Sequence, residues 1–306
     1  MSAKLTRNDA AAAGRARNVL RGWREPAWGY AFILPNLALI ALFFLYPLFN
    51  TFRLSLFQAN MSGETFIGLD NFRSLFADDV VLNSLKHTFY FALIIVPIIV
   101  ALSFTVAGMM KDLRPSSKAL FRVVFYLPVV ATPVVVTMIW AWMYNVNFGI
   151  LNYLRSLLHL GPVQWLGTTS GAFFSIVIVV VTWSVGQPII LYLASMDGIS
   201  KDLYEAAELD GAGPLRKFFA ITLPLIANTT LFVTVTTTIS TFQIFVVIHL
   251  LTRGGPYFST ETLVYTIYRT AFTSTEFGAA SAQGVVLFVI IMVIALVQLR
   301  LIRSKA

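Results

Sequence analysis

Long uncharged apolar runs recur along this chain, and the polar stretches between them are too short to enclose a soluble domain. A hydrocarbon layer about 30 Å thick takes a helix of about 20 apolar residues. Six segments reach that length: Trp28 to Phe52, Thr88 to Met110, Val123 to Tyr144, Ala172 to Met196, Ile221 to Leu251 and Ala279 to Leu299. The chain is 58% hydrophobic and 12% charged, a balance that soluble cores do not reach. The spacing therefore predicts an all-α integral membrane protein with six transmembrane helices. The fifth run is the longest and is expected to tilt, kink or project beyond the bilayer. Pro35, Pro47, Pro97, Pro128, Pro133 and Pro188 fall inside the runs, where neighbouring helices can satisfy the freed carbonyls and kinks are expected.

Charge placement gives the orientation. Lys4, Arg7, Arg15, Arg17, Arg21 and Arg24 crowd the N-terminal tail, and the Lys111 to Arg122 loop, the stretch from Lys201 to Lys217 and the C-terminus hold ten more of the 22 basic residues. Basic loops face the cytoplasm, so both termini and the 201–217 stretch are expected there. The segments around Phe57 to Leu85, Asn145 to Gly171 and Thr252 to Phe277 then face outward. Gly68-Leu69-Asp70-Asn71-Phe72 reads as a turn entering a short helix. The tail is too long and polar for a typical cleaved signal peptide, which favours an uncleaved signal-anchor. The net charge of +8 is thus a topology signal rather than a nucleic-acid surface.

One polar element stands out, Tyr204-Glu205-Ala206-Ala207-Glu208-Leu209-Asp210-Gly211-Ala212. Ser200 is a fitting N-cap and Asp202 sits favourably in the first turn. Gly211 suits a left-handed helix end, and Pro214 the first turn of a second helix. Small alanines permit close approach by another surface, and Glu205 and Glu208 offer charge. The product is a helix-turn-helix elbow, held at the membrane by Phe218, Phe219 and Ile221.

The spacing Glu205-Ala206-Ala207, three residues, Gly211, nine residues, Ile221, one residue, Leu223-Pro224 resembles the EAA motif of importer permeases in the ATP-binding cassette superfamily. Leu127-Pro128, Phe148-Gly149-Ile150-Leu151-Asn152, Leu251-Thr252-Arg253-Gly254-Gly255-Pro256 and Phe277-Gly278-Ala279-Ala280-Ser281-Ala282 are similar to the carbohydrate-uptake branch, with its maltose-type and glycerol-3-phosphate-type permeases. The resemblance runs from about Tyr30 to Lys305, and Asn228 departs from it where many relatives carry proline. It implies a MetI-like importer permease fold with a cytoplasmic coupling helix, in a bacterial inner membrane. By resemblance, Glu205, Ala206, Ala207, Asp210 and Gly211 enter a groove on a separate ATPase. It further implies a second homologous permease, an ATPase dimer that uses ATP and Mg, and an extracytoplasmic substrate-binding protein. The expected organisation is a basic tail over 1–27, a first helix and outer loop over 28–85, and a core permease domain over 86–306 with the coupling loop at 199–224.

Polar side chains at membrane depth are costly and usually face a cavity or another helix. Thr182, Trp183, Ser184 and Gln187 lie in the fourth run, and Thr234, Thr236, Thr237, Thr238, Ser240, Thr241 and Gln243 in the fifth. Threonines often bond back to their own helix, so each alone is weak evidence. As a cluster they mark a substrate path, with Trp183, Gln187, Thr237, Thr241 and Gln243 as its candidates. Trp140, Trp142 and Tyr144 read as an outer aromatic belt, and His249 as interfacial. There is no cysteine, the three histidines show no metal-ligand spacing, and no Gly-rich phosphate loop with lysine is present. A membrane enzyme would need clustered ionisable groups beside the spans, and a stand-alone channel would not need the elbow. Asp210 to Phe219 and Val297 to Arg300 are similar to the glycerol-3-phosphate-type member, favouring glycerol 3-phosphate or a glycerophosphodiester. The lack of a cation deep in a span favours a neutral di- or oligosaccharide instead.

Overall fold

The computed structural model of the protein describes residue 30 and residues 32–303, with backbone alone for Ile302 and Arg303. The basic tail over 1–27, the start of the first run at Trp28, and Lys305 lie outside the described residues. The chain divides after Arg53 into two compact units. The first is described by helix α1, Phe32–Leu54, which is largely apolar, carries one π-helical turn at Ala41–Leu45 and ends on the first residue of the second unit.

The second unit opens with a hairpin of β1, Phe57–Asn60, and β2, Gly63–Phe66, paired antiparallel with Phe57 opposite Phe66. Asn60 Oδ1 accepts from Ser62 N at 2.9 Å in the turn, which closes it. Left-handed Gly68 leads into α2, Asp70–Ala77. Asn71 Nδ2 donates to the Ser55 and Phe57 carbonyls, each at 2.9 Å, and ties α2 to the hairpin. Asp78 caps α3, Asp79–Lys111, by accepting from Val80 N.

Helix α3 is the post around which the unit packs. Its buried positions, Phe91, Ala92, Ile95, Val96, Ile99, Ser103, Ala107 and Met110, recur at three- and four-residue steps, the period of one helical face. Phe91, Ile95 and Ile99 enter one apolar cluster, Ala107 and Met110 a second, and Ala92 a third. Ser103 and Thr88 donate back to the Ile99 and Ser84 carbonyls, so neither hydroxyl is stranded.

The next two spans are broken. Helices α4, Pro115–Val130, and α5, Pro133–Met143, meet at 96°. Pro133 cannot donate and drives Thr132 to an extended ψ of 150°, so the chain cannot continue as one helix. Helix α6, Ile150–Leu157, lies in the following loop, where Asn152 binds the Val146 and Val163 carbonyls, Val163 N and Trp165 Nε1. Helices α7, Thr169–Ser184, and α8, Gly186–Asp197, bend by 46°, because Pro188 removes the amide that would bond Ser184. The elbow follows as α9, Lys201–Leu209, and α10, Pro214–Lys217, which continues through a π-helical turn at Phe218–Thr222. Helices α11, Ala227–Phe242, and α12, Val246–Leu251, form the fifth span, interrupted at Gln243 to Phe245. A short α13, Leu263–Tyr268, precedes α14, Phe277–Arg303.

Several expectations are corrected. The third and fourth runs are broken helix pairs rather than single kinked helices, and the fifth begins at Ala227, after a break at Ile226, not at Ile221. The hairpin, α6 and α13 were not legible in the loops between the runs. Tyr144 is 3% exposed and donates to the Ser175 carbonyl at 3.1 Å, so it is core rather than interfacial belt. His249 stacks on Phe245 with its Nδ1 buried, a packing role inside an aromatic cluster.

Glycine sets the closest helix approach. A Cβ on Gly186 would lie 2.1 Å from the Phe125 carbonyl oxygen, so α4 and α8 touch backbone to backbone. Gly186→Val is expected to force the pair apart at a cost of about 1–3 kcal/mol. Gly108→Ala, inside α3 and with nothing within 4 Å of its Cβ, should hold stability or raise it by up to about 1 kcal/mol. Thermal unfolding of the detergent-solubilised protein checks both; equal melting temperatures would overturn the packing assignment.

Candidate functional site

The three helix breaks converge. Val129 and Pro133 flank the first, Ser184 and Gln187 the second, and Gln243 and Phe245 the third, and all line a single cavity of about 400 Å³. Helix α11 contributes Val233, Thr236, Thr237, Ser240 and Thr241, a stripe at helical period. The candidates Trp183, Gln187, Thr237, Thr241 and Gln243 all reach this cavity. Sequence reasoning did not select Ser184, Thr236 and Ser240, which share it.

Hydrogen bonding separates the lining groups. Thr241 donates to the Thr237 carbonyl at 2.8 Å and Thr236 to the Phe232 carbonyl at 2.7 Å, so these hydroxyls retain only acceptor capacity. Trp183 Nε1 is buried without a partner among the described residues. The Gln187 amide is exposed to the cavity. An orphaned buried donor is costly unless a ligand or water meets it. The site thus offers an indole donor, amides of both polarities and hydroxyl acceptors against apolar Val and Phe walls. That set suits a hydroxylated solute and supplies no nucleophile and base pair.

The elbow is built as its sequence specifies. Ser200 Oγ accepts from Asp202 N at the start of α9. At its end Gly211 is left-handed, with φ of 74°, and the Ala212 and Gly211 amides donate to the Ala207 and Glu208 carbonyls at 2.8 and 2.9 Å. These paired bonds cap the last turn. Tyr204 Oη meets Thr222 Oγ1 at 2.8 Å, Lys111 Nζ lies 3.9 Å from the Tyr204 ring centre, and Lys217 pairs with Glu208. Glu205, Ala206, Asp210 and Gly211 are exposed and Ala207 is half-buried. Leu209 is 91% exposed, an apolar side chain presented to whatever meets the elbow.

On the opposite side, Glu261 is 1% exposed and its Oε1 lies 3.1 Å from Arg269 Nη2, with Thr266 donating to the same oxygen. Burial pushes this carboxyl above the ordinary range, against the pull of Arg269 and Thr266. The Leu263 amide donates to Thr88, fixing the loop on α3. No spacing in the sequence signals this pair.

Comparison with known proteins agrees with this architecture. The model of the binding-protein-dependent transport system inner membrane component matches residues 99–305. The chain is 36% identical to the probable ABC transporter permease protein YurN of Bacillus subtilis (strain 168), over 90% of this chain and 96% of that protein. It is 31% identical to the sn-glycerol-3-phosphate transport system permease protein UgpA of Yersinia pestis, over 90% and 94%. A crystal structure of a bacterial ABC transporter involved in the import of the acidic polysaccharide alginate superposes with a TM-score of 0.82 at 22% identity, covering 94% of this chain and 99% of that one. Broken spans around a polar cavity, a capped elbow and these relatives together make this chain a multi-pass inner-membrane permease subunit and not an enzyme, and it belongs to the family of binding-protein-dependent transport system inner membrane components.

Proposed function

We propose that this chain forms one half of the translocation pathway of an ATP-driven importer for glycerol 3-phosphate or a glycerophosphodiester. The convergence of three helix breaks on one cavity, where amides, hydroxyls and an indole N–H stand among apolar walls, carries the reading. Irregular backbone at membrane depth is tolerated where it lines a cavity, and solute sites form at such breaks. The cavity volume falls within the range of small-molecule sites. Likeness to the UgpA proteins supports the phosphate class. A neutral di- or oligosaccharide is the second reading, favoured by a cavity lining without Arg or Lys among the described residues.

In this reading Glu205, Ala206, Ala207, Asp210 and Gly211 meet a partner ATPase that binds ATP and Mg. One elbow supplies one docking site, so a symmetric ATPase dimer calls for a second, homologous permease. An extracytoplasmic binding protein delivers the substrate, as in the alginate importer solved with its substrate-bound periplasmic protein. Both termini face the cytoplasm on the charge count. The Lys111 to Arg122 segment and the elbow, both assigned there, are in contact through Lys111 and Tyr204.

A cysteine at exposed Ser62 should react with a membrane-impermeant maleimide on intact cells, and one at Gly213 only after permeabilisation. The reverse pattern would invert the topology.

Gly211→Val strains a left-handed residue by about 1 kcal/mol or more, and Glu205→Lys reverses an exposed charge. Both variants should insert normally but lose substrate-stimulated ATP hydrolysis in the reconstituted complex. Unchanged turnover in both would remove the coupling role.

Gln187→Leu combined with Thr241→Val removes one amide and one hydroxyl from the cavity. Each lost bond is worth about 0.5–1.5 kcal/mol, so uptake into proteoliposomes should fall about tenfold at normal complex yield. Wild-type uptake would place the path elsewhere. A labelled panel of glycerol 3-phosphate, a glycerophosphodiester and a neutral disaccharide decides the substrate.

A further inference from the structure

An anionic substrate meets no cation in the main cavity, yet one lies next door. A second, wide-open and mostly apolar cavity of about 480 Å³ is lined by Arg122, Val123, Tyr126, Gln187, Ile190 and Leu191. Gln187 and Leu191 line both cavities. Arg122 is the cation lining either of them among the described residues. It sits on the elbow's side: its ion-pair partner Asp197 ends α8, about 15 Å along the helix from Gln187 and immediately before the elbow.

The pairing of Arg122 is unusual in its balance. Lys118 Nζ lies 3.0 Å from Asp197 Oδ1, whereas Arg122 Nη2 lies 3.4 Å from Oδ2. Lys118 is 17% exposed and Arg122 is 47% exposed. Two cations therefore share one carboxylate, and the surplus positive charge rests on the more accessible and more loosely held partner. If Arg122 turns away, Lys118 still neutralises Asp197, so no charge is left unpaired. A guanidinium carries five donors, and one long contact to Asp197 leaves a fork free for a phosphate.

We propose that Arg122 is a specificity-determining residue for an anionic substrate. After passing Gln187, the phosphate group is received by the Arg122 guanidinium in the second cavity, while Lys118 keeps Asp197 neutralised. This rests on the glycerol phosphate reading above. It explains how a permease with an uncharged main cavity carries an anion: the cation stands downstream, where it draws the solute toward release without trapping it at mid-membrane.

The competing account is a staple, in which the ion pair only holds α4 against α8. The two accounts predict different patterns. The test uses the full complex, with partner permease, ATPase and binding protein, reconstituted in proteoliposomes and supplied with labelled sn-glycerol 3-phosphate. Uptake is normalised to incorporated complex and to ATP hydrolysed. Arg122→Gln should lower uptake per ATP about tenfold, the loss of one charge-assisted contact. Arg122→Lys should recover most of it. Asp197→Asn, which breaks both the Lys118 and the Arg122 pair but leaves the guanidinium, should stay within about twofold of wild type. An equal fall in Arg122→Gln and Asp197→Asn would establish the staple and overturn the proposal, as would unchanged uptake in Arg122→Gln. Should Arg122→Gln assemble poorly, the contrast between Arg122→Lys and Asp197→Asn decides in the same way. A wild-type complex that carries neutral disaccharide and no glycerol phosphate would fail the substrate reading itself, and the proposal with it. Phosphate uptake indifferent to Arg122 would fail the proposal alone.

Discussion

Inside a bilayer every peptide N–H and C=O must find a partner within the protein, because no water stands ready to replace one. The architecture of this permease follows from where that rule is relaxed. Three spans interrupt their helical bonding, and each interruption is placed at the same cavity, where side chains can meet the freed groups. Thr262 donates to the Ile244 carbonyl at 3.2 Å and covers one such group. Prolines supply two of the breaks, each by withholding an amide from the helix ladder. An unbroken α3 supplies the rigid surface against which the broken spans can be held.

The spans were legible in the sequence because hydrocarbon thickness sets a length that composition must match. The elbow was legible for a different reason: Ser200, Gly211 and Pro214 each report a backbone geometry that few other residues satisfy, and the structure uses all three as such. The polar stripe of α11 was visible as a cluster, but not which hydroxyls are already committed to their own helix, since that depends on rotamers rather than spacing. The 96° turn at Pro133 was beyond reach for a related reason. Proline announces a discontinuity, while the angle is set by what packs beyond it.

What escaped the sequence altogether depends on contacts distant along the chain. Glu261 is buried against Arg269 and fixed on α3 by a loop whose anchors lie more than a hundred residues upstream. Tyr144 looked like an interfacial aromatic until Ser175 offered it a carbonyl. Asp197 shares itself between two bases on another helix, a balance that counting charges by loop cannot resolve. In each case local chemistry was right about polarity and silent about neighbour.

The fastening of the elbow has a mechanical meaning. Tyr204 is joined to Thr222, below the fifth span, and lies under Lys111, the last residue of α3, while Glu208 is clasped by Lys217. A force applied at the bare tip around Leu209 and Gly211 therefore cannot be absorbed by swivelling of the connector. It is split between two load paths, one entering the rigid post and one entering the threonine-lined helix beside the cavity. In the proposed coupling to an ATPase, the short helix would act as a stiff crank with two rods and pass the stroke to the cavity as shear between its walls.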